Sequence, residues 1–386
     1  MAAGCKTLAA LRVVLALSIA ARVSFAGPAA SLDRTSWNPK AAAAYLDQRA
    51  AWWMSWPGAA RDHETFCISC HTALPYVLSR SALGTALGNQ DLSPQQLRIL
   101  NNVTRRVRLG NEAEPFYGEQ VGTNKALQSR GTESVLNALI LANFDGRNGK
   151  LSEETRAAFR YMWALQGRRG DEGGAWPWLN FANEPFEAND SVFYGACLAA
   201  IAVGSAPDNY RVIPEIQGNV KLLRDYLDRE YLRQSLSNQV VLLWASAKLP
   251  GLLTAKQQAS IVDDVLGKQQ SDGGWSLSSL AWTWRGSSLK WLAKLWIRSE
   301  ASPFERKSDG YATGIIAYSL EQYGLPRDNT HLKRALDWLQ RNQIQTEGRW
   351  PGYSLNHGHE QSPAGLFMSD AATAYAVLAL TGFSGR

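Results

Sequence analysis

Residues 67–71 read Cys-Ile-Ser-Cys-His. Two cysteines three positions apart with histidine directly after them form the pattern that attaches a c-type haem: the thiols bond its vinyl groups and the imidazole ligates the iron. The competing readings are a redox-active or structural Cys67–Cys70 disulfide with His71 incidental, two ligands of a zinc site, and coincidence. A sixth iron ligand has to come from the other histidines and methionines. His63 is four residues before Cys67, too tethered to reach across a haem ring, and His331 begins an amphipathic segment. His357 and His359, in "SLNHGHEQSP", and Met368 beyond them are the stronger candidates, with Met54 an outsider. The His-Gly-His-Glu stretch also reads as a plain solvated loop.

Haem attachment of this kind takes place on exported chains, and the N-terminus has the layout of a secretory signal. Lys6 and Arg12 precede the apolar run 13–21, and Ser24-Phe25-Ala26 offers small residues where a signal peptidase cuts. That run is too short to span a bilayer. The expectation is a signal peptide over 1–26, one domain over 27–386, a periplasmic or secreted location and no stable membrane span. Of the four cysteines, Cys5 leaves with the signal and Cys197 is isolated, so this is not a disulfide scaffold. A formal charge of +6 over 386 residues, with no Lys/Arg run interleaved with aromatics, argues against a nucleic-acid partner.

Fifteen tryptophans point to an architecture that repeatedly needs a large flat side chain. Four stretches are mutually similar: "GTESVLNALILANFDG" (131–146), "ANDSVFYGACLAAIAVG" (188–204), "KSDGYATGIIAYSLEQYG" (307–324) and "MSDAATAYAVLALTGF" (368–383). Each opens with an acid, Glu133, Asp190, Asp309 or Asp370, and continues through small and aliphatic residues, the pattern of a helix buried on most sides. Taken singly, each acid suits the first turn of its helix. Taken together, the four are the carboxyl stock available for acid/base chemistry around a cavity. A second motif precedes such helices in "LQGRRGDEGGAWPW", "KQQSDGGWSLSSL" and "LQRNQIQTEGRWPGY": a Gln-bearing helix end, a Gly turn, then Trp176, Trp275 or Trp350. The amide can satisfy helix-end groups while the indole covers a neighbouring hairpin. Two further buried helices, near 70–84 and 237–249, bring the total to six. The first begins at the cysteine motif, and Pro75 requires that it lie in the first turn.

Six amphipathic helices near 39–50, 93–108, 153–166, 214–232, 255–269 and 331–343 complete the pairs. The pattern predicts an all-α fold, an (α/α)6 toroid with the buried helices as its inner ring and the amphipathic helices as its outer ring. In this repeat grammar, over most of 39–386, the chain resembles the squalene cyclase and protein prenyltransferase superfamily. With "FCISCHTALPY" leading the first inner helix and "FMSDAATAYAVLAL" the last, it also resembles a group of exported bacterial squalene-cyclase-like proteins. Residues 279–304 have no counterpart in the repeat and read as an insertion.

The resemblance implies chemistry that these residues do not carry over. Hopene-type cyclases protonate an alkene with an acid of a DxDDTA motif, and aligning Thr373-Ala374 on its Thr-Ala puts Ala371 and Ala372 where the adjacent acids belong. Hopene-type cyclisation is therefore not expected. Prenyltransferases hold zinc through an Asp-x-Cys pair, whereas Asp190 and Cys197 are seven residues apart. Cys197 reads as a small buried residue. The superfamily instead implies that inner-helix starts surround a cavity mouth, so Cys67, Cys70 and His71 would stand there. If six hairpins close, Met368, His357 and His359 come to the same place. The expected protein is an exported haem c carrier for redox or electron transfer beside an apolar cavity, with a redox partner protein or an apolar small molecule as its partner. The alternatives are a non-haem toroid enzyme acting on an isoprenoid or polysaccharide, and a binding module with a Cys67–Cys70 disulfide.

Overall fold

The computed structural model describes residues 36–280, 307–355 and 365–382, all within one compact unit running from Thr35 to Arg386. The expected signal peptide, residues 281–304 of the expected insertion, and His357 and His359 lie outside the described residues. The fold is all-α. Its twelve helices of twelve or more residues among those described are α1 (Pro39–Ser55), α2 (Ala73–Ala86), α3 (Pro94–Leu109), α4 (Lys125–Asn148), α5 (Glu153–Ala164), α6 (Ser191–Ser205), α7 (Gln217–Glu230), α8 (Leu236–Lys248), α9 (Ala255–Leu266), α10 (Gly310–Tyr323), α11 (Thr330–Arg341) and α12 (Phe367–Thr381). A short antiparallel ribbon, β1 (Ala60–Arg61) with β2 (Thr65–Phe66), joins α1 to the segment before α2.

Two kinds of helix alternate, as the sequence requires. In α11, Leu332, Ala335, Leu336 and Leu339 are buried at the i, i+3, i+4, i+7 spacing of a one-faced helix. In α6 the buried residues, Cys197 among them, run around the whole circumference. Each even-numbered helix packs on the next even-numbered one from α2 through α12, and α12 packs back on α2. Between these buried helices Trp244, Tyr311, Tyr318 and Tyr375 meet edge to face, with ring centroids 5.3 to 6.3 Å apart. Among the described residues, no helix is long and apolar enough to cross a membrane.

The Gln, Gly and Trp of the repeated motif act as one clasp. Trp176, Trp275 and Trp350 donate their indole N–H to the carbonyls of Met162, Val265 and Leu339, in the last turn of the preceding amphipathic helix. Each of these carbonyls also accepts a backbone N–H from the turn that ends its helix, so the indole takes the second acceptor position beneath a fully buried ring. The glutamines reach sideways. Gln166 Nε2 donates to Asn219 O of α7, Gln269 Nε2 to His331 O of α11, and Gln343 Nε2 to Asn38 O, the N-cap of α1. One device thus ties α5 to α7, α9 to α11, and α11 back to α1. Gly348 has φ 75°, and a Cβ there would lie 2.1 Å from Ala41 O, so only glycine lets this last clasp close.

Two helix starts differ from expectation. Helix α4 begins at Lys125, six residues before Gly131. That glycine is not a break, because Pro177 O packs against it, 2.0 Å from where a Cβ would sit. Glu133 consequently lies well inside α4 rather than in its first turn. Helix α2 begins at Ala73, so His71 stands just before it, and Pro75 falls in the first turn as required.

Candidate functional site

The segment holding the cysteines is fixed before α2 starts. Asn102 of α3 grips β2 from both sides, accepting from Phe66 N at 2.9 Å and donating to Phe66 O at 3.0 Å. Trp53 of α1 donates its indole N–H to Cys67 O at 2.7 Å, and Cys67 N donates to Ala59 O. Ser69 Oγ accepts from Ala73 N and Thr72 N, so the serine between the cysteines caps the helix that follows. Cys67, Cys70 and Cys197 are free and buried. Burial pushes the Cys67 thiol up to about 12 and that of Cys70 well above the ordinary range, so both are protonated at neutral pH.

A chain of hydrogen bonds sets the state of His71. Its Nδ1 lies 2.9 Å from Thr72 Oγ1, and that hydroxyl donates to Asp370 Oδ2 at 2.7 Å. Asp370 also accepts from Arg49 Nε at 2.7 Å, Arg49 Nη2 at 2.9 Å and the Tyr45 hydroxyl at 2.7 Å. Burial pushes this carboxyl up, and the donations from Arg49, Thr72 and Tyr45 pull it back toward the ionised form. Since Thr72 has one hydroxyl proton and gives it to Asp370, it faces His71 as an acceptor. His71 therefore carries its hydrogen on Nδ1 and presents a lone pair at Nε2. Burial, assisted by the Arg49 charge, lowers the His71 pKa to about 3, which keeps the ring neutral. Phe367 stacks on that ring at 3.8 Å, and Trp53 meets it edge-on at 5.2 Å.

These residues line a cavity of about 540 Å³ whose walls are Trp53, Trp56, Cys67, Ser69, His71, Tyr117, Phe181, Asn183, Glu184, Phe186, Glu187, Ser354, Gly365, Phe367 and Met368. The volume is that of a site for a cofactor or a drug-sized ligand. Met368, from the last helix, is 4 % exposed and shares this wall with His71, from the first repeat. Cys70 is buried and is not among the residues that line this cavity.

The four acids singled out in the sequence serve other ends. Glu133 is paired with the buried guanidinium of Arg106, whose Nη1 also donates to Thr65 Oγ1 at 2.7 Å, so the pair binds α3, α4 and β2 together. Asp309 caps α10 through Ala312 N at 2.8 Å and accepts from Leu277 N at 2.7 Å; burial pushes its carboxyl up to about 6. Asp190 precedes α6, accepts from Ser235 Oγ, and is raised by burial. Asp370 reaches His71 only through Thr72. His63 is on the ribbon turn beside Asp62, and His331 Nδ1 donates to Gln269 Oε1 at 2.7 Å within a clasp.

Two acids stand in the cavity wall, and the sequence brought neither forward: Glu184 and, three residues on, Glu187. Glu187 lies in a tight turn where Phe181 N and Asn183 N donate to Glu187 O and Glu187 N donates to Asn183 O. No local pattern marks it, since its place in the wall comes from a loop whose neighbours there belong to other repeats. Burial pushes its carboxyl up to about 7, against the pull of Lys125 and an Asn183 hydrogen bond.

No family model and no curated protein matches this chain. Its own geometry has to carry the reading. Among the described residues, no group of three or more His, Cys, Asp or Glu side chains is gathered to hold a bare metal ion. The donor set does fit a haem. A neutral imidazole with its second nitrogen anchored, the free Cys67 thiol and a thioether on the same cavity, the free Cys70 thiol buried next to His71 in the chain, and walls of flat aromatic rings are what that group needs from a protein.

Proposed function

We propose that this chain is an exported c-type haem protein, built on the (α/α)6 toroid of the squalene cyclase and prenyltransferase superfamily. Cys67 and Cys70 would hold the haem covalently, His71 would be its proximal ligand and Met368 its distal one, with His357 and His359 as alternatives. The observation that carries the reading is His71: its neutral state, anchored Nδ1 and position on an aromatic cavity are those of an axial ligand. The closed succession of buried helices and the Gln343 clasp back to α1 support the toroid.

Haem bound here supplies a one-electron iron couple. The protein's part is to hold the imidazole by Thr72 and Asp370, exclude water with Trp53, Trp56, Phe186 and Phe367, and offer a sulfur ligand of the kind that favours electron transfer. Ala371 and Ala372 are fully buried and apolar, and Glu187, pushed up to about 7, is too weak an acid for alkene protonation. Hopene-type cyclisation is accordingly not proposed.

The test is export together with the haem-attachment machinery. An intact mass raised by one haem, red absorbance that survives denaturation, and loss of both in Cys67→Ala/Cys70→Ala are expected. A bare polypeptide mass with no visible absorbance defeats the proposal.

A further inference from the structure

Glu187 shares the cavity wall with Cys67 and His71, yet neither the folding nor the iron ligation described above uses it. It is held by its own turn and not by an ion pair among the described contacts. We propose that Glu187 is the residue through which this site takes up a proton when it takes up an electron. The inference rests on the haem reading and adds to it a coupling between reduction potential and pH.

The coupling follows from charge. One electron from a small one-electron mediator reduces iron(III) to iron(II), and one proton from water binds the Glu187 carboxylate; no other bond forms or breaks. The added electron makes an ionised carboxylate in the same apolar cavity less stable, so Glu187 binds its proton more tightly in the reduced protein. Linkage then makes the protonated form easier to reduce. The potential falls as pH rises through the interval between the two Glu187 pKa values. The ceiling is tenfold in the redox equilibrium per tenfold in proton activity, about 59 mV per pH unit for one electron.

The titratable groups that act on or respond to Glu187 are Lys125 at the start of α4, Tyr117 before that helix, Cys67 and Cys70, while His71 and Glu184 share its cavity wall. Burial moves the thiols and the Tyr117 phenol upward and His71 downward, out of the neutral range. Burial moves Glu187 into that range.

The experiment is a mediated redox titration of the haem-loaded protein from pH 5 to 9. A sloping potential is expected in the wild type and a flat one in Glu187→Gln, with the absorbance spectrum unchanged. Glu184→Gln should keep the slope, and Glu187→Asp should keep it at a displaced pH. A flat wild-type potential overturns the inference without any variant, and so does a slope that persists in Glu187→Gln or vanishes in Glu184→Gln. Absence of haem from the purified protein defeats the underlying reading instead, and the mass measurement tells the two failures apart.

Discussion

Replacing Asp370 with Ala tests whether this acid is a structural keystone or a reactive carboxyl. Its two oxygens accept four hydrogen bonds, two from Arg49 and one each from Thr72 and Tyr45. Arg49 is 6 % exposed, so the substitution removes the carboxylate from a guanidinium held away from water. Breaking a buried pair from one side costs about 3–5 kcal/mol. The Thr72 and Tyr45 hydroxyls lose an acceptor as well, and a buried hydroxyl left without one costs about 1–3 kcal/mol. The expected loss is therefore at least about 3 kcal/mol, a large share of the roughly 5–15 kcal/mol that holds a typical protein folded. The assay is urea denaturation of the exported protein, reading the midpoint shift at constant slope. Arg49→Met combined with Asp370→Leu should recover part of the loss, because an apolar pair of similar volume replaces the ion pair. A loss below about 1 kcal/mol for Asp370→Ala refutes the reasoning, since it would mean that Arg49 does not depend on this carboxylate.

Two further outcomes follow from the same geometry. Gln343→Ala removes the bonds joining Gln343 to Asn38 and Gly348, and should cost about 1–3 kcal/mol while speeding amide exchange in the first turn of α1 and leaving α7 unchanged; equal effects at both helices would deny the clasp its local role. Met368→Ala in the haem-loaded protein should alter the absorbance spectrum and lower the reduction potential, because a thioether ligand raises it; an unaltered spectrum would assign the distal position elsewhere.

What could be read in advance was whatever one repeat writes locally. Trp176, Trp275 and Trp350 each sit two residues beyond a glycine and follow a glutamine in the same order, so their helix-end role is visible in the order of residues and needs no knowledge of distant partners. The alternation of buried and amphipathic helices is local in the same sense. Glu133 shows the limit. Gly131 before it reads as a boundary, but it is a close-packing glycine inside a longer helix, and the acid belongs to a buried pair with Arg106, whose place in α3 no repeat pattern announces.

The residues that set the state of His71 were hidden for a stronger reason. Thr72 looks like an ordinary helix cap, and only the bond to Asp370, 298 residues further along, commits its proton and so fixes which nitrogen of His71 is free. A chain whose last repeat packs against its first places such decisions between residues at opposite ends of the sequence, where spacing carries no information. Loops behave likewise. Glu187 reaches the cavity wall because the turn before α6 lines the same cavity as the helix starts of the first and last repeats. In a closed succession of helices, then, the starts of the first and last buried helices are paired, and an acid there has neighbours that its own repeat does not reveal. Here that pairing leads from His71 to Phe367, Met368 and Asp370. Of the four acids drawn from the repeats, Asp309 caps a helix, Glu133 pairs with arginine and Asp190 accepts from Ser235, all outside the cavity lining, and Asp370 acts on His71 through one hydroxyl.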